Sequence, residues 1–118
     1  MTAVDYFTQT DTVHIATQRR DGGVVVTPIW AVVADGVPYI RNGYGARSKW
    51  YRRVQRTGRA VFVDGSHRYS AVIETLNDEA INLKVDEAYR TKYAAQATAL
   101  RQVVSPQVRA STMRVTLQ

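Results

Sequence analysis

The chain contains no cysteine and only two histidines, His14 and His67. The lack of cysteine excludes disulfides, thiolate metal sites and cysteine nucleophiles. Neither histidine has an obvious carboxylate companion, so we expect no metal site. The sequence also has no Ser-x-Gly elbow and no pair of carboxylates in a loop, and hydrolytic chemistry therefore has little support.

Long apolar runs are missing as well. No segment approaches the ~20 apolar residues of a membrane span. The opening stretch, MTAVDYFTQTDTVH, lacks the positive start and apolar middle of a secretion signal. We therefore expect a cytoplasmic protein without a membrane partner. At 118 residues, with 45% hydrophobic and 22% charged residues, the chain has room for one folded domain over residues 1–118.

Acidic residues are absent from one stretch, RNGYGARSKWYRRVQRTGR, which runs from Arg41 to Arg59 and holds seven Arg and Lys residues. The chain has 16 basic and 10 acidic residues in all, so the remainder carries nine basic and ten acidic ones. The net charge of +6 therefore comes from this stretch. Positive charge beside glycines and a serine hydroxyl suits an anionic ligand, above all a phosphate. A pI near 10 also keeps nucleic acid among the possible partners.

Periodicity and turn residues predict a mainly β (α+β) fold. A short helix capped by Thr2 opens the chain, and Pro28 requires an edge position or a bulge in its strand. Ser48 begins a second helix, which Gly58 ends, and Asn77 or Asp78 begins a longer helical region limited by Pro106. The predicted strands are Thr12 to Arg20, Val24 to Ala34, Val37 to Arg41, Arg59 to Asp64, Arg68 to Leu76 and Val108 to Leu117. Five or six antiparallel strands with few helices favour a small barrel.

The junction Arg47-Ser48-Lys49 is the first candidate binding site. Backbone N–H groups at a helix start favour anions, to which Ser48 adds a hydroxyl, Lys49 a point charge and Arg47 a planar fork. Gly43 and Gly45 allow the backbone to approach a ligand closely. The alternative interpretation is a solvated basic helix surface.

The second candidate is Thr27-Pro28-Ile29-Trp30. A proline inside a strand interrupts the ladder, and a flat heterocycle could use the backbone hydrogen bonds left open there. Trp30 could line such a site or fill the core, and Trp50 is expected to be a packing anchor. The acidic residues of V-D-E-A-Y are expected on the solvent-exposed face of the long helix. Hydroxyl donors or stacking rings could come from Tyr39, Tyr44, Tyr51, Tyr69, Tyr89 and Tyr93.

Four segments in this order resemble the small split-barrel flavoproteins: I-A-T-Q-R-R-D-G-G, T-P-I-W, Y-I-R-N-G-Y-G and S-K-W-Y-R-R. This superfamily includes pyridoxamine phosphate oxidases and deazaflavin-dependent nitroreductases. Within it, V-D-E-A-Y-R-T-K-Y and S-T-M-R-V make the chain most similar to domain-of-unknown-function family 2255. The resemblance covers most of the chain from Val13 onward.

The resemblance implies a six-stranded antiparallel split β-barrel with a short helix after the third strand and a longer helix near the C-terminus. It also implies a homodimer with FMN, or a deazaflavin cofactor, in a cleft between subunits. Arg47, Ser48 and Lys49 match the loop that holds the flavin phosphate. The segment formed by Thr27, Pro28, Ile29 and Trp30 matches the strand along the isoalloxazine edge. Arg41, Asn42 and Gly43 match the strand end beside the ribityl chain.

Three functions remain open at this point. The first is a flavin-binding oxidoreductase that acts on a small organic molecule. The second is a cofactor-free small-molecule binder or biosynthetic enzyme, such as a cyclase or isomerase, on the same barrel. Nucleic-acid binding through the basic stretch ranks last, because aromatic residues are not interleaved on a flat sheet face as single-strand binders require.

Overall fold

The computed structural model describes residues 2–43 and 48–118, which form a seven-stranded antiparallel sheet, curled into a half-barrel, and five helices. The strands are β1 (Val13–Gln18), β2 (Val24–Ile29), β3 (Ala31–Ala34), β4 (Val37–Ile40), β5 (Arg59–Asp64), β6 (His67–Thr75) and β7 (Met113–Leu117). The helices are α1 (Ala3–Gln9), α2 (Lys49–Thr57), α3 (Glu79–Lys92), α4 (Ala97–Val103) and α5 (Pro106–Arg109).

The strand order across the sheet is β2-β1-β5-β6-β7-β4-β3. The mainly β (α+β) class is confirmed, but the predicted count of six strands is wrong. The continuous run from Val24 to Ala34 is interrupted at Trp30, so that β2 pairs with β1 and β3 pairs with β4 at the opposite edge of the sheet. Pro28 lies in the edge strand β2, where a residue without an N–H is tolerated, as the sequence predicted.

The first two helices follow their local signals. Thr2 caps α1 in a reciprocal capping box with Asp5. Ser48 occupies the N-cap position of α2, and Gly58 ends that helix in the left-handed conformation with φ 66°. In α3 the carboxylate of Asp78 accepts a hydrogen bond from the backbone N–H of Ile81. No helix in the described ranges is long and apolar enough to cross a membrane.

The C-terminal region differs from the prediction. The helical pattern after Asp78 is divided among α3, α4 and α5, and Pro106 begins α5 instead of limiting the helical region. Proline is favourable at a first helical position because that residue needs no intrahelical N–H bond. Val108 consequently lies in α5, and the last strand is shorter than predicted, Met113–Leu117.

The buried side chains of residues 2–43 and 48–118 form two core groups. One lies between the sheet and helices α1 and α2, and includes Phe7, Phe62 and Trp50. Trp50 is therefore the packing anchor that the sequence predicted. The second lies between β3, β4 and the helices α3 and α4, and includes Tyr89 and Tyr93. The connection from β2 to β3 passes between the two groups.

Candidate ligand-binding site

A cavity of about 380 Å³ opens where the chain passes from β2 to β3. This volume lies within the ~300–1,000 Å³ range typical of small-molecule sites. Four walls contribute: the interrupted strand, the end of β4 with the residues after it, the first turn of α2, and the helices α3 and α4. The lining residues are Thr12, Pro28, Ile29, Trp30, Arg41, Gly43, Trp50, Tyr89, Gln96, Ala99, Gln102 and Val103.

Trp30 forms a flat and well-fixed part of the wall. Its indole stacks on Tyr93 with 3.9 Å between ring centroids and 7° between planes. The hydroxyl of Tyr93 accepts a hydrogen bond from the backbone N–H of Ala31 at 3.2 Å. It donates a hydrogen bond to the backbone carbonyl of Asp11 at 2.6 Å. These hydrogen bonds fix the ring of Tyr93, and the stacking on that ring orients the indole of Trp30. Trp30 is half-buried: it lines the cavity and also packs against the second core group.

Arg41 belongs to the wall, and its guanidinium is engaged with the protein itself. The side chain has no exposed surface and lies 2.5 Å from the Oδ1 atom of Asp86. It also donates to Thr112 Oγ1 at 2.8 Å and to the backbone carbonyl of Asn82 at 3.1 Å. The role predicted for Arg41 beside a ribityl chain stays a prediction.

Asp86 corrects one expectation about the long helix. The acids of V-D-E-A-Y were expected on its wet face, and Glu87 is indeed exposed. Asp86 is buried and pairs with Arg41 as well as with Arg109, whose Nε lies 2.9 Å from Asp86 Oδ2. Periodicity alone could not show this, because the partner cations lie far away in the sequence.

The two residues after Arg41 differ in how they meet the cavity. Asn42 is buried, does not line the cavity, and its backbone N–H donates to the hydroxyl of Ser111 at 2.9 Å. Gly43 lines the cavity, and its carbonyl accepts a hydrogen bond from the side chain of Gln102 in α4. A Cβ at Gly43 would lie 3.7 Å from Val103 Cγ2, which is an ordinary contact. None of the described residues around Gly43 therefore requires a glycine there for space.

Tyr89 also lines the cavity, and its hydroxyl has no hydrogen-bond partner among the described residues. The side chain is buried, with a relative exposure of 1%. Burial raises the pKa of Tyr89, whereas the nearby Arg41 guanidinium lowers it to a smaller extent. The hydroxyl is therefore protonated at neutral pH.

A second, more open groove of about 670 Å³ runs beside α2. Its walls come from α2 and from the turn between β1 and β2. It is lined by Arg19, Arg20, Asp21, Lys49, Arg52, Arg53 and Arg56. We call this surface the basic groove. Arg56 donates to the carbonyl of Gln18, which ties the helix to the end of β1.

The predicted site residues are distributed over these two depressions. Pro28, Ile29, Trp30, Arg41 and Gly43 meet at the cavity, and Lys49 lies in the basic groove. Ser48 stands at the N-cap between them, and its hydroxyl accepts no capping hydrogen bond from the helix. Thr27 lies in β2 opposite Ile15 and lines neither depression. Tyr44, Gly45 and Arg47 lie outside the described residues.

The sequence did not predict that α4 lines the cavity. Gln96, Ala99, Gln102 and Val103 close one side of the cavity, but nothing in their spacing indicates a site. Among the described residues, no group of three or more His, Asp and Glu side chains could hold a metal ion.

The sequence matches the model of a family described as uncharacterized protein conserved in bacteria (DUF2255) over residues 3–115. The chain belongs to this family. The match confirms the resemblance drawn from the sequence segments. No curated protein sequence matches the chain.

Solved structures with the same fold are split-barrel proteins. The conserved hypothetical protein Rv2991 from Mycobacterium tuberculosis has a TM-score of 0.74 and 19% identity, over 100% of this chain and 81% of that one. An F420-H2 dependent reductase (FDR-A) has a TM-score of 0.64 and 15% identity, and the match covers 92% of this chain and 94% of that one. The haem storage protein HutZ from Vibrio cholerae has a TM-score of 0.63 and 11% identity, and the match covers 97% of this chain and 84% of that one. At these identities the likeness establishes the fold.

Proposed function

We propose that this protein binds a flavin, FMN in the first place and a deazaflavin cofactor as the alternative, and acts as an oxidoreductase on a small organic molecule. The observation that carries the proposal is the position of two consecutive residues. Trp50 lines the cavity and Lys49 lines the basic groove. The first turn of α2 therefore joins a pocket suited to a flat ring with a surface suited to a phosphate.

The cavity fits the ring part of such a cofactor. Its walls include the indole of Trp30 and the apolar side chain of Ile29, with few charged groups. The pairing of β2 with β1 continues through Pro28 and stops at Ile29, so the ladder is interrupted at Trp30, beside the cavity. A heterocycle with polar edges can use backbone groups at such an interruption.

The start of α2 fits the phosphate. Ser48 lies at the N-cap, where the N–H groups of the first turn point away from the helix. The first turn contains no acidic residue that would repel an anion. Lys49 adds a positive charge, and Arg47, which precedes Ser48 in the sequence, would add a guanidinium in the same role.

A bound flavin would supply the redox chemistry, which is hydride transfer at its ring. The residues of this chain would then bind, orient and shield the ring. Trp30, fixed by Tyr93, would define the plane of the ring. Gln96 and Gln102, on the α4 side, would cover the cavity and exclude water.

A homodimer is part of the same proposal. The edge strand β2 exposes two apolar side chains, Val24 at 63% and Val26 at 50% relative exposure. An edge strand with exposed valines is a ready surface for a second chain. Pro28 lies on the same face of β2, two residues beyond Val26, and it lines the cavity. A subunit that covers this face would therefore narrow the cavity opening.

Titration of the purified protein with FMN and with F420 tests the proposal. Binding is followed by quenching of tryptophan fluorescence and by the flavin absorbance spectrum. We expect a dissociation constant in the micromolar range or lower for at least one of the two cofactors. A colourless protein that responds to neither cofactor would show that the proposal is wrong.

The cofactor-free alternative is favoured by a different observation. The Arg41 guanidinium is neutralised and hydrogen-bonded within the protein, so the cavity wall presents mainly uncharged groups. Such a cavity also suits an uncharged small molecule. This alternative predicts ligand binding that does not depend on Lys49 and no affinity for either flavin.

A further inference from the structure

The basic groove carries more positive charge than a single cofactor phosphate uses. Its lining includes six cationic residues and one acidic residue: Arg19, Arg20, Asp21, Lys49, Arg52, Arg53 and Arg56. The proposed function assigns Lys49 to the phosphate of the cofactor. The five arginines of the groove then have no role in that function.

The charge of these arginines is largely left without a carboxylate partner. All ten acidic residues of the chain lie in the described ranges. Within those ranges, the only carboxylate that pairs with a cation of the groove is that of Asp21, whose Oδ1 atom lies 3.4 Å from Arg19 Nε. An anion that approaches the groove therefore meets a local excess of positive charge.

The cations that α2 contributes lie along one side of the helix. Their positions follow the spacing i, i+3, i+4 and i+7, and they are Lys49, Arg52, Arg53 and Arg56. This spacing extends over about 10 Å of helix. Like charges three or four residues apart destabilise a helix. A bound anion would relieve this repulsion along α2.

Neutral acceptors hold two of the guanidinium groups in place. Arg56 donates to the backbone carbonyl of Gln18, and Arg53 donates to Thr17 Oγ1 at 3.5 Å. Each of these contacts leaves the positive charge intact and leaves most of the five N–H donors of the guanidinium for other partners. The contacts also join α2 to β1, next to the turn that carries the other two arginines. The cations of both walls therefore converge on the same space.

The composition of the lining indicates which polyanion fits. Guanidinium groups bind phosphate oxygens in pairs, so several arginines in a row suit several phosphates in a row. None of the described residues that line the groove is aromatic. Proteins that bind single-stranded nucleic acid stack its bases on aromatic rings. The groove therefore favours a short chain of phosphates over a nucleic-acid strand.

We propose that the basic groove is a binding site for an oligophosphate, which is a chain of linked phosphate groups, and that Arg20 and Arg52 contact this chain from opposite walls. Such a chain occurs in a nucleoside triphosphate and in inorganic tripolyphosphate. The inference goes beyond the proposed function, and it does not depend on the binding of a flavin.

Isothermal titration calorimetry tests the site at about 150 mM salt, which screens non-specific attraction between exposed charges. The ligands are tripolyphosphate, ATP and the tricarboxylate citrate. The wild type should bind tripolyphosphate at least tenfold more tightly than citrate. Equal affinity for tripolyphosphate and ATP would identify the phosphate chain alone as the ligand, and tighter binding of ATP would identify a nucleotide. Both results support the site.

The double variant Arg20→Gln with Arg52→Gln removes one exposed cation from each wall. The matched control, Arg90→Gln with Arg101→Gln, removes the same charge from exposed positions on α3 and α4 outside the groove. The groove variant should bind tripolyphosphate at least tenfold more weakly than the wild type, because it loses charge-assisted hydrogen bonds. The control should bind it within about threefold of the wild type, because its charges lie away from the ligand.

The melting temperature without ligand separates binding from a structural role. The groove variant should melt at the wild-type temperature or higher, because the loss of Arg52 reduces the repulsion along α2. A variant that melts several degrees below the wild type would show that these arginines support the fold, and it would overturn the inference.

Three binding results would also overturn it. The first is a wild type that binds tripolyphosphate no more tightly than citrate. The second is a groove variant that binds tripolyphosphate as tightly as the control variant. The third is a ten-nucleotide thymidine strand that binds more than tenfold more tightly than tripolyphosphate, which would make the groove a nucleic-acid site. A protein that binds tripolyphosphate but neither FMN nor F420 would retain the groove site and refute the flavin.

Discussion

At the scale of single residues, Arg41 shows what the sequence can and cannot reveal. Its position at the end of a strand beside Asn42 and Gly43 could be predicted, and it does line the cavity. Its ion pair with Asp86 could not be predicted, because the two residues are 45 positions apart and Asp86 reads as part of a solvated helix face. Only the packing of α3 against β3 and β4 brings them together.

The buried pair gives the first prediction. Asp86→Ala leaves the guanidinium of Arg41 buried without its carboxylate, and we expect a loss of about 3–5 kcal/mol in the free energy of unfolding. Lys84→Ala is the matched control, because it removes the exposed pair with Asp35 and should cost less than about 1 kcal/mol. Urea unfolding monitored by circular dichroism measures both. Equal, small losses for the two variants would show that the buried pair does not stabilise the fold.

Lys92 gives a prediction on pH. Its ammonium donates to the carbonyls of Phe7 and Ala31 at 2.6 and 2.7 Å. Burial lowers the pKa of Lys92 to about 8, and the charge of Asp11 acts in the opposite direction. Between this pH and the ordinary lysine pKa of ~10.4 the unfolded chain binds more protons than the folded one. The Lys92 contribution to stability should therefore increase as the pH rises from about 8.

Measurement of the free energy of unfolding at several values between pH 7 and 9.5 tests this. The stability of the wild type should rise relative to Lys92→Met across the interval. Above about pH 10 the two proteins should lose stability in parallel, because burial raises the pKa of Tyr89 and Tyr93 and their unfolded forms release protons first. A constant difference between wild type and variant would show that the ammonium titrates as it does in water.

At the scale of elements, α2 was predictable and α4 was not. The bounds of α2 depend on local signals, a serine before the helix and a glycine after it, and the structure has both. The role of α4 depends on where α3 ends and on how the chain returns over the cavity. No residue type within α4 encodes that placement, so the side of the cavity that α4 closes could not be predicted from the sequence.

Gly58, which ends α2, and Gly43, which lies beside Gln102 and Val103 of α4, form a matched pair for a test of backbone conformation. Gly58 ends α2 with φ 66°, so Gly58→Ala should cost about 1–2 kcal/mol in the free energy of unfolding. Gly43 has no positive φ, and the described residues around it leave room for a Cβ, so Gly43→Ala should change stability by less than about 0.5 kcal/mol. Thermal or urea unfolding compares the two variants. A larger loss for Gly43→Ala than for Gly58→Ala would contradict the roles assigned to the two glycines.

At the scale of the whole molecule, the alternation of apolar residues predicted a mainly β fold of antiparallel strands, but it did not predict that one of those strands divides into β2 and β3. The residues from Val24 to Ala34 read as one long strand, yet they divide at Trp30 and lie at opposite edges of the sheet. A proline next to a run of β-branched residues signals an edge or a bulge without indicating which. The same division creates the cavity, so the fold and the candidate site share this feature.

The proposed dimer is tested at this scale. A double variant, Val24→Asp with Val26→Asp, places two charges on the exposed face of β2 and should convert a dimer into a monomer. Leu83→Asp is the control, because Leu83 is exposed to a similar extent, 57%, on α3. Light scattering after size-exclusion chromatography measures the mass of each variant. A wild type that is monomeric at tens of micromolar would contradict the dimer.

The most direct test of the central claim compares FMN with riboflavin, which lacks the phosphate, on the wild type and on Lys49→Ala. The account predicts that the wild type binds FMN about 10- to 150-fold more tightly than riboflavin, because charge-assisted bonds to the phosphate contribute about 1.5–3 kcal/mol. In Lys49→Ala most of that preference should be lost, while riboflavin affinity stays the same. Equal affinity of the wild type for the two compounds, or a preference that Lys49→Ala leaves intact, would contradict the claim that the start of α2 holds the phosphate.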